Sequence, residues 1–179
     1  MSSENRKYIP IGFFDKNFIV SDANFMIPDA DLFLFGILQS SVHMIFVKKF
    51  CGRLESRLRY SKEIIYNNFP FCEASEKNRE KISESAGEIL RVREKFLGVR
   101  NEGLGAGENE KSKKTNPYSL TPSPCLADLY DENLMPKELR EAHRKNDLSV
   151  MSAYGFEKNF SEEEILSALM NLYKNLTEK

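Results

Sequence analysis

Long apolar runs are missing from this sequence. The most apolar stretch, residues 32 to 50, is interrupted by Gln39, Ser40, Ser41, His43, Lys48 and Lys49. It does not supply the ~20 predominantly apolar residues of a membrane-spanning helix, so no membrane partner is expected. The N-terminus is polar and carries no apolar leader core. Cysteine is scarce: Cys51, Cys72 and Cys125 are odd in number and widely spaced. That excludes a disulfide framework or a cysteine zinc site and points to reduced thiols in a cytoplasm. Histidine is limited to His43 and His143. There is no internal repeat, and Gly12 and Gly36 do not make a phosphate loop.

What is present suits a packed soluble fold. Hydrophobic residues make up 41% and charged residues 30% of the 179 positions, enough for a core under a well-solvated surface. The residue pattern predicts an α+β chain: a small β-rich N-terminal part with long helices, then an α-helical C-terminal segment. Tyr8 to Phe14, Phe18 to Val20 and Phe25 to Ile27 read as short strands broken by turn residues. Leu34, Ile37, Leu38, Val42, Ile45 and Phe46 recur at helical spacing and predict one helix over about 31–49, ended by Gly52. Ile64 to Tyr66 and Phe69 to Phe71 read as a strand or extended exit, because Pro70 disfavours helix before it. A second helix is expected over about 75–97, with Ile82, Ala86, Ile89, Leu90 and Leu97 on its apolar face and Gly98 closing it. Residues 99–124 hold Gly103, Gly105, Gly107, Pro117, Pro122 and Pro124 among polar residues and read as a flexible linker. Pro136 opens a further helix running through Leu139, Ala142, His143 and Val150 to Gly155. The last helix announces itself by a Ser161–Glu164 capping box and a Phe160–Ile165 staple, with a buried stripe of Ile165, Leu169, Leu172, Tyr173 and Leu176.

Catalytic constellations are weak. Asn116-Pro117-Tyr118 resembles the Asn-Pro-Pro-aromatic loop of adenine methyltransferases, but the second proline is absent and no apolar strand precedes it. A chance match in a proline-rich stretch is the better reading. His143 and Asp147 lie four apart on one helix face, without an evident third metal ligand, and read as a local hydrogen-bonded pair. His43 reads as a satisfied core histidine. Cys51 lacks a base, so neither it nor any other residue makes an enzyme on its own.

The charge distribution says more than the net charge of −1. Lys48, Lys49, Arg53, Arg57, Arg59 and Lys62 stand against Glu55 alone between positions 48 and 62. Such a patch is either a phosphate footprint or a solvated face. Tyr60 and Ser61 add groups that reach a nucleic-acid backbone, and Asn67 and Asn68 suit an adenine edge. The same Arg-Tyr-Ser run could instead brace a loop by salt bridges and capping.

The order of the blocks carries a resemblance. Tyr8-Ile9-Pro10-Ile11-Gly12-Phe13, Phe35-Gly36-Ile37-Leu38, His43-Met44, Cys51-Gly52-Arg53-Leu54, Arg59-Tyr60-Ser61 and Tyr66-Asn67-Asn68-Phe69-Pro70 resemble the target-recognition region of MmeI-like enzymes. These are single-chain restriction-modification proteins that methylate adenine at N6. Leu126 to Asp131, Met135-Pro136, Leu139, Ala142-His143, Asp147 and Ala153-Tyr154-Gly155 resemble the C-terminal helical segment of the same family. The chain departs from the family pattern at Leu58, Phe71-Cys72, Asn146 and Met151, and in the length of 99–124. The resemblance implies a target-recognition portion over 1–73, a spacer or packing helix over 74–98, a linker over 99–124 and a C-terminal helical segment over 125–179. It further implies a fragment without the catalytic domain, in which S-adenosylmethionine would bind. The expected partners are double-stranded DNA and a catalytic methyltransferase domain or subunit. The expected DNA contacts are Lys48, Lys49, Arg53, Arg57, Arg59, Tyr60, Ser61, Lys62, Asn67 and Asn68. A purely structural domain that docks on a catalytic subunit is the alternative.

Overall fold

The computed structural model describes residues 2–3, 6–14, 19, 24–55, 57–97 and 126–178. The expected linker over 99–124, with Asn116-Pro117-Tyr118 and its glycines, lies outside them, as does Cys125. The fold is α+β. In chain order the elements are β1 (Ser2–Ser3), α1 (Leu32–Leu38), α2 (Ser41–Phe50), β2 (Gly52–Leu54), β3 (Arg57–Arg59), a π-helical turn (Lys62–Tyr66), α3 (Glu76–Leu97), α4 (Leu126–Leu129), α5 (Lys137–Ala153) and α6 (Glu162–Thr177).

The stretch expected as one helix over 31–49 is two, α1 and α2, bent by 53° at a break. The polar pair Gln39-Ser40 causes the break. Ser40 donates its hydroxyl to the Ile37 carbonyl at 2.6 Å and accepts the His43 amide at 3.2 Å. It thereby closes one helix and caps the next. No single helix among the described residues is long and apolar enough to cross a membrane.

The strands expected at 8–14 and 25–27 are not strands; both stretches are irregular. Of the strand expected at 18–20, only Ile19 is described, and it is in no strand. Among the described residues no strand pairs with the first stretch; instead, helix side chains take carbonyls of it. Gln39 Nε2 donates to the Ile9 carbonyl, and Arg93 donates to the Ile11 carbonyl at 2.6 Å. A buried backbone needs its polar groups paired, and side chains serve as well as a sheet. The sheet is built elsewhere, in the order β1-β3-β2 with both pairings antiparallel. Residues 62–66 are also not extended. They form the π-helical turn, capped by Ser61, while 69–71 leave it without regular structure.

The long helix α3 packs between α1 and α5. Ile82, Ala86, Ile89 and Leu90 are buried, as the periodicity predicts. The crossing with α1 is tight at Gly36. A Cβ there would meet Ile82 Cγ2 at 2.5 Å and Asn146 Oδ1 at 3.0 Å. Glycine lets the two backbones approach. Helices α5 and α6 begin where expected, and the Ser161–Glu164 capping box is complete. Ile165 and Leu169 are buried on α6, but Leu176, expected in the same stripe, is exposed because it sits in the last turn, beyond the core.

Two apolar clusters hold the fold together. One joins Ile37, Val42, Phe46, Leu58, Ile65 and Phe69 to Ile82, Val150, Ile165 and Leu169. The other joins Tyr8 and Phe35 to Ala86, Ile89, Leu129, Tyr130 and Leu139. Each draws on the N-terminal part, α3 and the C-terminal part, so burial stabilises all three together.

Candidate nucleic-acid interface

The basic segment folds as a β-hairpin. Leu54 pairs with Arg57, Arg53 with Leu58, and Gly52 with Arg59. The two-residue connection demands positive φ, and Glu55 supplies it at 56°. Directly opposed residues of an antiparallel pair share a face, and successive residues alternate. Leu58 is buried at 1% exposure and fixes the inner face. Arg57 and Arg59 therefore leave by the outer face with Gly52 and Leu54, and their side chains are exposed. A Cβ on Gly52 would meet nothing within 4 Å, so the lane beside Arg59 is open. Arg53 shares the face of Leu58, although it too is exposed.

Other members of the predicted set have different surroundings. Lys62 is exposed at the start of the π-helical turn, and Lys49 is exposed in the last turn of α2, where Lys48 is half-buried. Cations there also interact favourably with the negative end of the helix. Tyr60 points inward and bonds His43 Nε2 at 3.1 Å. His43 Nδ1 lies 3.0 Å from the Leu38 carbonyl and must carry the proton, so the Tyr60 hydroxyl donates. Ser61 accepts the Ile64 amide as a helix cap at 3.4 Å. Asn68 donates to the Glu63 carbonyl and, at 3.2 Å, to the Ile64 carbonyl, and its carbonyl accepts from Tyr173 at 3.4 Å. Asn67 ends the turn with its amide on the Lys62 carbonyl at 2.9 Å and an exposed side chain. The segment thus combines both roles read from the sequence. Tyr60, Ser61 and Asn68 brace the loop, and Arg57, Arg59 and Lys62 face solvent. Ion pairs among the described residues include Arg79–Asp31, Arg91–Glu88, Lys95–Glu138 and Arg144–Glu141; Arg57 and Arg59 are in none of them.

The residues considered for catalysis are also placed. Burial pushes the Cys51 thiol up, against a smaller opposing pull from Arg53. The expected His143–Asp147 pair is not made. His143 Nε2 faces the Tyr130 hydroxyl at 2.6 Å and Nδ1 faces the Gln39 carbonyl at 3.3 Å. Asp147 accepts from the Tyr8 hydroxyl at 2.6 Å and from the Ser41 amide at 2.7 Å. Tertiary partners in a buried site outcompete the local one. Burial lowers His43 to about 4 and His143 to about 3, so both imidazoles are neutral. No cluster of His, Cys, Asp or Glu able to hold a metal occurs among the described residues.

Sequence reading missed the centre of this buried network, Arg93. It is 3% exposed and donates to Tyr130 at 2.7 Å, to Gln39 Oε1 at 2.7 Å and to the Ile11 carbonyl. The signal existed: Arg93 follows Ile82, Ala86, Ile89 and Leu90 on the apolar face of α3, where a lone cation needs internal partners. Asn146, one of the departures from the family pattern, donates to the Gly36 carbonyl at 2.8 Å.

Two family models and two relatives match this chain. Residues 1–73 match the model of the MmeI target recognition domain, and residues 119–179 match that of the MmeI C-terminal domain. DNA methyltransferase A of Bacillus subtilis (strain 168) is 37% identical over 179 residues, which is all of this chain and 17% of that protein. A structure of the Type IIL restriction-modification enzyme MmeI in complex with DNA superposes with a TM-score of 0.81 at 38% identity. That match covers 99% of this chain and 20% of the enzyme, so the chain spans about a fifth or less of either relative's length. With two successive domain matches in the family's order and similarity along its whole length, this chain belongs to the MmeI family, as its target recognition and C-terminal domains.

Proposed function

We propose that this chain reads DNA sequence for a restriction-modification adenine-N6 methyltransferase and performs no chemistry itself. The observation that carries the reading is the outward pair Arg57 and Arg59 on the central strand of a small antiparallel sheet inside a target recognition domain. Arginine can donate two hydrogen bonds to a guanine edge in the major groove of B-DNA or hold a phosphate. Lys49 and Lys62 flank the hairpin as phosphate anchors, and Arg53, Lys48 and Asn67 lie within reach of the same backbone. Tyr60, Ser61 and Asn68 serve this surface by fixing the hairpin and the turn after it. S-adenosylmethionine and the transfer of its methyl group belong to a catalytic domain or subunit with which the chain works in the cytoplasm.

The test is binding of the chain to duplex DNA across a salt series. Binding should weaken steeply as salt rises. Arg57→Ala and Arg59→Ala should each weaken it by about tenfold. A lost phosphate contact also lowers the salt slope by about one, whereas a lost base contact relaxes sequence preference. Full affinity of both variants at moderate salt would remove the hairpin from the interface.

The alternative reading, docking on a catalytic partner, has one small groove as its candidate surface. Phe46, Phe50, Ile64, Met170 and Tyr173 line an open groove of about 300 Å³ between α2, the π-helical turn and α6. Ile64 is 52% exposed there.

A further inference from the structure

A buried polar path joins the C-terminal domain to residues 8–11, the segment that follows β1 in the chain. The path starts at Asp147 on α5, which accepts the Tyr8 hydroxyl at 2.6 Å while holding the Ser41 amide at 2.7 Å. The Tyr8 ring stacks on His143 with centroids 3.9 Å apart, and Tyr8 is 1% exposed. Beyond Tyr8, the carbonyls of Ile9 and Ile11 are held by Gln39 and by Arg93. Arg93 and Gln39 both bond Tyr130, which bonds His143. Residues 8–11 are therefore clamped between α1, α3 and α5. Five residues upstream, Ser3 pairs with Arg57 and Ser2 with Leu58, so β1 lies along the strand that carries both outward arginines. Five residues of chain span at most ~17 Å. The clamp thus limits where β1, and with it β3, can sit.

We propose that this clamp gives the C-terminal domain a role in reading DNA: Tyr8, Arg93 and Asp147 are positioning residues that set the register of the arginine strand against the bases. The inference rests on the DNA-reading role proposed above. Phosphate attraction tolerates small displacements, whereas a two-hydrogen-bond match to a base edge does not. Loosening the clamp should therefore cost sequence discrimination before it costs affinity.

The experiment uses the full chain. A preferred duplex is first selected from a random-sequence pool with the unaltered chain, and its affinity is compared with that of a scrambled duplex. Tyr8→Phe keeps the ring and removes only the hydroxyl; Asp147→Asn keeps one acceptor oxygen, enough for the Ser41 amide, and turns an amide donor towards the Tyr8 oxygen. Tyr8→Phe should lower the preference for the selected duplex about tenfold, with scrambled-duplex affinity and salt slope unchanged. Asp147→Asn, which holds the Tyr8 oxygen only through a reversed hydrogen bond, should lower the preference in the same direction but by less than Tyr8→Phe. Amide hydrogen exchange, read without DNA, should quicken at Leu58 in Tyr8→Phe and stay unchanged in the middle of α3. Unchanged preference, or unchanged exchange at Leu58, overturns the clamp's role. Loss of scrambled-duplex binding too would make Tyr8 a folding element only, and overturns it as well. Should the unaltered chain select no duplex, the DNA-reading role fails, and the exchange result alone decides whether the clamp holds β3.

Discussion

The hairpin at 52–59 and the buried network around Arg93 both place arginines at their centre, and they use them in opposite ways. Arg57 and Arg59 stand in solvent on a ribbon whose single inward apolar anchor is Leu58. Arg93 is surrounded by Tyr130, Gln39 and the Ile11 carbonyl, without a carboxylate among its hydrogen-bond partners. The first arrangement leaves charge available to an outside anion. The second spends the guanidinium on fixing three chain segments at once. An arginine's role is thus set by which face of its element it occupies, since the side chain is the same.

The contrast can be broken at its buried end first. Arg93→Met removes a desolvated cation but strands three acceptors, and should cost about 3 kcal/mol of stability in denaturant unfolding. A variant as stable as the parent would show that the charge, not the hydrogen bonds, dominates there. Acid comes next. His43 and His143 have folded pKa values near 4 and 3, against an ordinary 6.5. Below pH 6.5 the unfolded chain binds more protons than the folded one, so their contribution is complete above 6.5 and shrinks as pH falls towards these values. Asp147 opposes them: burial raises its carboxyl, so its share is lost as pH rises above the ordinary 3.8. The histidines outweigh it, and stability should drop by about 2 kcal/mol between pH 7 and pH 5, measured by urea unfolding at the two values. Gly36→Ala, which drives a methyl against Ile82, should cost about 1.5 kcal/mol and lower the melting temperature. At the exposed end, Arg57→Ala and Arg59→Ala should shift stability by less than about 0.5 kcal/mol while weakening DNA binding. A large loss of stability there would mean that the hairpin arginines are structural after all.

The helices were legible because they carry their own signals. Ser161 with Glu164 and the spacing of Ile82, Ala86, Ile89 and Leu90 are local patterns, and α6 and α3 start and pack accordingly. The N-terminal stretch was misread for the converse reason. Tyr8 to Phe14 has strand-like residues, but a strand needs a neighbour, and its carbonyls bond to Gln39 and Arg93 instead. The helix break at Gln39-Ser40 was equally hidden, since the apolar period runs straight through it and only the Ser40 cap divides it. Within the basic patch, composition marked the cations. The β-register then separated the outward Arg57 and Arg59 from Arg53, and hydrogen bonding turned Tyr60, Ser61 and Asn68 towards the protein.

By itself the amino-acid order determined the family, the helical content and the location of the positive charge, because each depends on residues near one another in the chain. Only tertiary structure decided the partners of Arg93, His143 and Asp147, and the sharing of both cores between the N- and C-terminal parts. Those outcomes depend on which buried polar groups meet across 13 to 139 residues of sequence, and local pattern carries no record of that meeting.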